Sequence, residues 1–259
     1  MKNPENVIES LVGVHTDGRK SRIPAKLDFI QSTTGLFLAV FMVLHMVFIS
    51  SILISKEFMN SVAKFMELPF IFGDNPIIVT IGAGSIFLIF IIHAAVALRK
   101  FPGNYRQYNV ALTHAHLMEH TDTRIWFIQI LTGFAMFFLG SVHLYIIMTH
   151  PEITADISAE RMATEWMAPL YLLLLLAVEF HGAIGLYRLA LKWGWFTGKN
   201  PKEGRKKLKI YKHILTIFML TLGVLSLLAF IKIGLENKSK MVEKPHTVSV
   251  STTISKKAV

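Results

Sequence analysis

The chain of 259 residues contains no cysteine. It therefore cannot form a disulfide, ligate an iron–sulfur cluster through thiolates or attach a c-type haem covalently. It also lacks a GxGxxG or P-loop pattern, so nothing in it indicates a nucleotide or flavin domain. Charged residues make up only 17% of the chain, against about a quarter in soluble globular proteins. The low fraction of charged residues goes together with long apolar segments.

Hydrophobic residues make up 53% of the chain, and five apolar stretches are near the length of about 20 residues that a helix needs to cross a bilayer. The sequence therefore predicts an all-α fold, an integral membrane bundle of five transmembrane helices within a membrane domain at 31–235. A charged N-terminal arm at 1–30 precedes it, without a cleaved signal peptide, and a tail at 236–259, rich in Ser, Thr and Lys, is expected to be disordered. We place the spans at 31–54, 77–98, 125–148, 168–191 and 211–234.

Lys and Arg residues are unevenly distributed among the connecting segments. They are dense in the N-terminal arm and in the second and fourth loops. The first loop has only Lys56 and Lys64, and the third only Arg161. The positive-inside rule then places the N-terminal arm and the second and fourth loops in the cytoplasm, and the C-terminus outside.

Four of the 11 histidines lie well inside four different spans. Counting about 1.5 Å of rise per residue, His93 lies about 9 Å and His181 about 15 Å from the cytoplasmic edge. By the same count His45 lies about 21 Å and His143 about 28 Å from that edge. The histidines therefore form an inner pair, His93 and His181, and an outer pair, His45 and His143.

Two histidines from different helices at one depth can provide both axial ligands of a non-covalent haem b, and the core of a helical bundle is where such sites are built. A haem also needs flat space beside its ligands. Gly185 follows His181 by one turn, and Gly140 precedes His143 by three residues, although small residues are common at any transmembrane interface. The layering therefore predicts two bis-histidine haems b.

Long blocks of sequence surround all four histidines. They include "KSRIPAKLD", "TGLFLAVFMVLHMVF", "RKFPGNYRQY", "WFIQILTGFAMFFLGSVHLYIIMT" and "EWMAPLYLLLLLAVEFHGAIGLYRLALKWGWF". From about residue 10 to residue 236 the chain resembles the dihaem cytochrome b subunits of menaquinol:fumarate reductases, in the succinate:quinone oxidoreductase superfamily.

This resemblance implies a complex in the bacterial inner membrane with an iron–sulfur subunit and an FAD-containing flavoprotein subunit. It implies that this subunit binds menaquinol from the membrane, and that the complex reduces fumarate; no nucleic acid is involved. It also implies that His93 pairs with His181 and His45 with His143 as haem ligands, which is the pairing that their depths in the membrane predict. Candidate partners for the anionic haem propionates near the helix ends are Gln31, Trp126 and Lys192 on the inner side, and Ser141 and Arg161 on the outer side.

Two glutamates are candidates for proton chemistry. Glu67 lies in the apolar outer stretch "FMELPFIF", where the family has its quinol-site glutamate, and we expect it to accept a proton from quinol. Glu179 is the one acidic residue in the middle of a predicted span. It lies about 200° around the helix from His181 and is therefore no haem ligand. It is either a structural carboxylate bonded to a neighbouring helix or a transmembrane proton relay.

Three other functions remain open at this point. The same machinery can run in reverse as the anchor of a succinate:quinone reductase, because sequence does not fix the haem potentials. A cytochrome b subunit of a hydrogenase or formate dehydrogenase is the second alternative. A haem-free transporter that uses Glu179 as its proton site is the third.

Overall fold

The structure, a computed structural model, describes residues 22–73, 75–101, 104–117, 121–164, 166–196 and 198–243. Over these residues the chain forms helices and turns, with no strand. The nine helices are α1 (Ile23–Ile49), α2 (Lys56–Met66), α3 (Pro69–Phe72), α4 (Ile77–Leu98), α5 (Tyr105–Leu117), α6 (Thr121–Thr149), α7 (Ala155–Met162), α8 (Met167–Trp193) and α9 (Pro201–Glu243).

Five of these helices, α1, α4, α6, α8 and α9, are long and apolar enough to cross a membrane. Large apolar side chains on them are exposed, among them Phe37, Leu88, Leu131 and Phe138. Apolar surface of this extent fits a lipid environment rather than water. The predicted all-α fold with five membrane-spanning helices is confirmed.

The short helices lie at the two ends of the bundle. A 3₁₀ turn (Ser50–Leu53) extends α1, and α2, α3 and α7 lie at the same end, which we call the outer end. Helix α5 follows α4 at the opposite, inner end. Side-chain caps explain where two of the outer helices begin: Ser55 Oγ accepts from the Phe58 amide at 3.0 Å, and Thr154 Oγ1 from the Ile157 amide at 3.2 Å.

Four of the membrane helices form a closed ring. Helix α1 contacts α4 and α8, and α6 contacts the same two helices from the other side. Helix α1 is thus diagonally opposite α6, and α4 is diagonally opposite α8. The four helices of this ring are those that carry the four intramembrane histidines.

Helix α9 packs on the outside of this ring, against α8 and α7. Two glycines on α9 make room for its neighbours. A side chain at Gly223 would overlap Leu175, and one at Gly234 would overlap the backbone carbonyl of Ala159. Small residues at such crossings are the usual way to pack helices in membranes.

The ends of the helices differ from the predicted boundaries. Helix α1 begins at Ile23, within the predicted arm, and α9 continues to Glu243, so residues 236–243 are helical and not disordered. Lys, Glu and Met are strong helix formers and carry the helix past the apolar part. Asn237 also donates to Asp156 of α7 at 2.8 Å, which anchors this extension. The predictions for 1–21 and 244–259 lie outside the described residues.

Candidate functional site

The structure brings the four intramembrane histidines together in two pairs. The ring centroids of His45 and His143 are 6.2 Å apart, and those of His93 and His181 are 6.5 Å apart. These are the pairs that depth along the helices predicts. Each pair joins diagonally opposite helices, α1 with α6 and α4 with α8, so both pairs lie across the core of the ring.

The separation of the rings fits axial ligation of one iron by two imidazoles. Metal–imidazole bonds of about 2 Å place two trans ring centroids roughly 6 Å apart. Within the described ranges no three His, Asp or Glu side chains come together as a metal site. Two-ligand sites of this kind suit a metal whose remaining ligands come from a macrocycle, as in haem.

Hydrogen bonds to Nδ1 orient both rings of the inner pair. His181 Nδ1 lies 2.8 Å from the backbone oxygen of Gln129, which can only accept, so the ring carries its proton on Nδ1. His93 Nδ1 lies 3.1 Å from Thr34 Oγ1, whose own proton goes to the Ile30 carbonyl at 2.7 Å. Nε2 of each ring is therefore left unprotonated, as a metal ligand must be.

The outer pair is held differently. His143 Nδ1 lies 2.9 Å from the Tyr171 hydroxyl, and the two rings meet edge to face with centroids 5.2 Å apart. His45 instead stacks on Phe41 of its own helix, at 5.6 Å between centroids. A tyrosine hydroxyl can accept the Nδ1 proton of His143, which again leaves Nε2 for a metal.

Two glycines of neighbouring helices make room for the inner rings. A Cβ at Gly35 of α1 would lie 2.8 Å from Cε1 of His93, and a Cβ at Gly133 of α6 would lie 2.9 Å from Cε1 of His181. Sequence reasoning missed both, as it missed Thr34 and Tyr171. It considered small residues on the helices of the ligands themselves, whereas the close contacts come from the adjacent helices.

The small residues considered from sequence have other neighbours. A Cβ at Gly185 would lie 3.3 Å from the side-chain nitrogen of Gln129, and one at Gly140 would lie 3.8 Å from Phe90. Gly185 thus leaves space for Gln129, whose side-chain oxygen accepts from Arg188 at 2.6 Å. The backbone oxygen of Gln129 thus accepts a hydrogen bond from His181, and the side chain of Gln129 is held by Arg188 of α8.

An excess of positive charge lies at the inner end of the ring. Lys192 donates to Ser32 Oγ at 3.1 Å and lies 3.4 Å from Asp28. Asp28 also pairs with Arg99 and with Lys100, the latter at 2.9 Å. One carboxylate therefore faces three cations, and the remaining positive charge can stabilise an anionic group such as a haem propionate.

The other inner candidates lie near this cluster along the chain. The side-chain oxygen of Gln31 is buried and has no hydrogen-bond partner among the described residues. It lies one turn before Gly35, and hence close to the inner pair. Rotating the amide by 180° would present its donor instead, so the group suits a polar ligand that is not part of this chain. Trp126 is half-buried at the inner end of α6, packed edge to face on Phe127 at 4.9 Å.

The two outer candidates differ in what they offer. Arg161 on α7 acts electrostatically on both His143 and Tyr171, so a cation lies close to the outer pair. Ser141 uses its hydroxyl proton within its own helix, donating to the Phe137 carbonyl at 2.5 Å. Arg161 is therefore the stronger partner for an anion at this end. The role of all five candidates in propionate binding stays a prediction.

The two glutamates lie in different surroundings. Glu67 is half-buried at the C-terminal cap of α2, at the outer end, and the next residue, Leu68, has a left-handed φ of +52°. Backbone strain of this kind, of the order of 1–3 kcal/mol, often accompanies functional sites. Glu179 is 8% exposed in the middle of α8.

The fold and its imidazole pairs define an integral membrane subunit of cytochrome b type. The succinate dehydrogenase/fumarate reductase transmembrane subunit family matches residues 104–224. The fumarate reductase cytochrome b subunit of Wolinella succinogenes is 53% identical over 92% of this chain and 94% of its own length. That of Helicobacter pylori is 52% identical over 92% and 93%. The chain belongs to the family of fumarate reductase cytochrome b subunits.

A more distant relative widens the comparison. The succinate dehydrogenase hydrophobic membrane anchor subunit of Archaeoglobus fulgidus is 38% identical, but over only 26% of this chain and 58% of its own length.

Removing one ligand tests the pairing. A His143→Ala protein should lose the outer haem, because one imidazole cannot complete two axial positions, and should keep the inner one. Haem per chain, measured by the pyridine haemochrome spectrum, should fall by half, and His45→Ala should give the same spectrum. Two haems retained in His143→Ala would contradict this pairing.

Adding one methyl group tests the space beside His181. Gly133→Ala should push the imidazole away from the Gln129 carbonyl, with an overpacking cost of about 1–3 kcal/mol. We expect loss of the inner haem or an altered spectrum of it. Gly82→Ala is the matched control, since a Cβ there meets nothing within 4 Å. Equal haem content and identical spectra in the two variants would exclude a role for the Gly133 contact.

Proposed function

We propose that this chain is the membrane subunit through which a fumarate reductase takes electrons from menaquinol, with each histidine pair holding one haem b. The two imidazole pairs across the bundle core carry this proposal. Haem b supplies one-electron transfer when it is bound. The family relationship favours this role over a hydrogenase or formate dehydrogenase anchor and over a haem-free transporter.

The proposal requires partner subunits for the dicarboxylate chemistry. The chain has no cysteine for an iron–sulfur cluster. An iron–sulfur subunit would accept the electrons, and a flavoprotein with FAD would reduce fumarate. Their docking face is the inner end, where Lys202, Arg205, Lys206 and Lys207 are exposed at the start of α9. The positive-inside rule places this end in the cytoplasm.

The reverse reaction, in which succinate is oxidised and quinone reduced, would use the same haems and subunits. The Archaeoglobus relative is named as a succinate dehydrogenase anchor, and its similarity to part of this chain supports one architecture for both directions. The direction depends on the potentials of the haems and the quinone. We propose fumarate reduction because relatives that match almost the whole chain carry that name.

Quinol oxidation is assigned to the outer end, at Glu67. The α2–α3 segment combines this half-buried carboxylate with exposed Phe70, Ile71 and Phe72. Apolar side chains suit the ring and tail of a quinol that arrives from lipid, and a carboxylate can take a hydroxyl proton as the quinol is oxidised. The outer histidine pair lies at the same end of the bundle.

Replacing the proposed base tests this site. Glu67→Gln keeps the shape of the side chain but cannot accept the proton. We expect both haems to remain and menaquinol-driven fumarate reduction to be lost, while fumarate reduction by reduced viologen persists. Glu57→Gln, in the exposed first turn of the same helix, is the control. Near-normal menaquinol activity in Glu67→Gln would remove Glu67 from the mechanism.

Glu179 is proposed as a proton relay within the membrane. Quinol oxidation at the outer end releases protons outside, and fumarate reduction consumes protons inside. Electrons would also move inward, so uncompensated turnover would work against the membrane potential at about 2.3 kcal/mol per charge per 100 mV. A proton carried inward with each electron cancels that cost. Without this compensation, the reaction of menaquinol with fumarate would have little free energy available to work against the membrane potential.

Glu179 and His181 lie on different sides of α8. Leu175, one turn before Glu179 on the same face of α8, packs at the junction of α1, α8 and α9 with Met46 and Met219. At the outer part of the α1–α9 contact, Ser226 donates to Ser50 at 3.0 Å. Glu179 therefore lies on the α9 side of α8, and His181 lies on the ring side.

Removing the titratable group tests the relay. Glu179→Gln should fold, keep both haems and bind its partners, yet lose menaquinol-driven fumarate reduction. Reduced viologen should still drive fumarate reduction, because that route needs no proton to cross the membrane. Glu160→Gln on the exposed side of α7 serves as the control. An unchanged menaquinol-driven rate in sealed vesicles would leave Glu179 a structural role only.

A further inference from the structure

Three helices meet at one carboxylate at the outer end of the molecule. Asp156 near the start of α7 accepts a hydrogen bond from Lys56 of α2 and another from Asn237 of α9, the latter at 2.8 Å. A second contact lies beside it, where Asn60 of α2 accepts from the Ala155 amide at 2.7 Å. We call Lys56, Asn60, Asp156 and Asn237 the outer clamp.

The clamp fixes one half of α2. Met59, between the two clamp residues of this helix, is 2% exposed in a core cluster with Ala159 and Phe230. These contacts all lie within the first five residues of α2, whereas Glu67 follows its last residue. Glu67 therefore lies at the opposite end of this short helix from the outer clamp.

Small rotations of such a helix become large displacements at its end. Lys56 and Glu67 are about 16 Å apart along the helix axis, so a tilt of about 10° would move Glu67 by roughly 3 Å. A misplacement of only 1 Å at a reacting group can lower a rate about a hundred-fold. The geometry of the clamp is therefore transmitted to the carboxylate.

We propose that Asp156 and Asn237 are positioning residues for quinol oxidation, which hold α2 so that Glu67 keeps its place at the outer end. The inference rests on the proposed role of Glu67. It gives the extension of α9 beyond its apolar part a function in the reaction. The fold of α9 itself depends on other contacts, including Gly234 against Ala159 and the buried Phe230.

Asp156 stays ionised over the working pH range, so the hydrogen bonds of the outer clamp are retained. The hydrogen bond from Lys56, followed by that from Asn237, lowers the pKa of Asp156 below its ordinary value of 3.8. Lys240 of α9 lowers this pKa further, whereas the nearby carboxylate of Glu57 acts in the opposite direction. Because the pKa is lowered, the stabilisation is complete above the ordinary value and is lost only as the pH falls through the lowered one.

Point variants in the assembled complex test the proposal, with a water-soluble naphthoquinol as donor. In Asn237→Ala and Asp156→Ala we expect kcat to fall at least about ten-fold, with KM changed far less, since the base is displaced while the apolar binding surface remains. Haem content and viologen-driven fumarate reduction should stay at the wild-type level. Asp156→Asn keeps an oxygen that accepts from Lys56 and Asn237 but removes the charge, so it should restore kcat only in part.

The controls separate this inference from the proposed function. Glu236→Ala changes the exposed neighbour of Asn237 and should leave the naphthoquinol kinetics unchanged. Wild-type kcat in both alanine variants would overturn the positioning role, and so would loss of haem or of assembly in both. If Glu67→Gln is inactive while both alanine variants are normal, only this inference fails. If Glu67→Gln is fully active, the role of Glu67 fails first.

Discussion

A polar group at membrane depth must find its partner inside the protein, and the rest of this structure depends on how the intramembrane imidazoles are held. Nδ1 of three of them forms a hydrogen bond with a neighbouring helix: that of His93 with Thr34, that of His181 with the backbone oxygen of Gln129, and that of His143 with the Tyr171 hydroxyl. These bonds join α1 to α4 and α6 to α8. The imidazoles therefore link two pairs of helices within the ring, and under the proposed function their Nε2 atoms bind metal.

The two ends of the ring of helices differ in charge and in structure. At the inner end Asp28 faces three cations, which leaves positive charge for anionic groups and for protein partners. At the outer end short helices, caps and the outer clamp build a surface that is ordered without being part of the bundle. Under the proposed function, this difference suits a quinol at the outer end and protein partners at the inner end.

The number of membrane helices and the depth of each histidine in the membrane could be predicted from the sequence, but the rotation of each helix about its axis could not. The span at 77–98 matches α4 (Ile77–Leu98), and the rise per residue is enough to pair His45 with His143 and His93 with His181. Helices α6, α8 and α9 run past both of their predicted ends, and α1 begins before its predicted start, because hydropathy detects only the part immersed in lipid. Tyr171 and Gly133 were missed because contacts between helices depend on the rotation of each helix about its axis.

The rotation of α8 has a consequence for the proposed chemistry. His181 faces the ring, where Gly133 and His93 lie, whereas Leu175, one turn before Glu179 on the same face, packs against α1 and α9. Two residues turn the helix by about 200°, so one helix can carry a metal ligand and a carboxylate on opposite sides. Under the proposed function, electrons would move within the ring and protons along the α1–α8–α9 junction. The two movements are then close enough to compensate one another electrically, while the backbone of α8 keeps the carboxylate from competing with His181 for the iron.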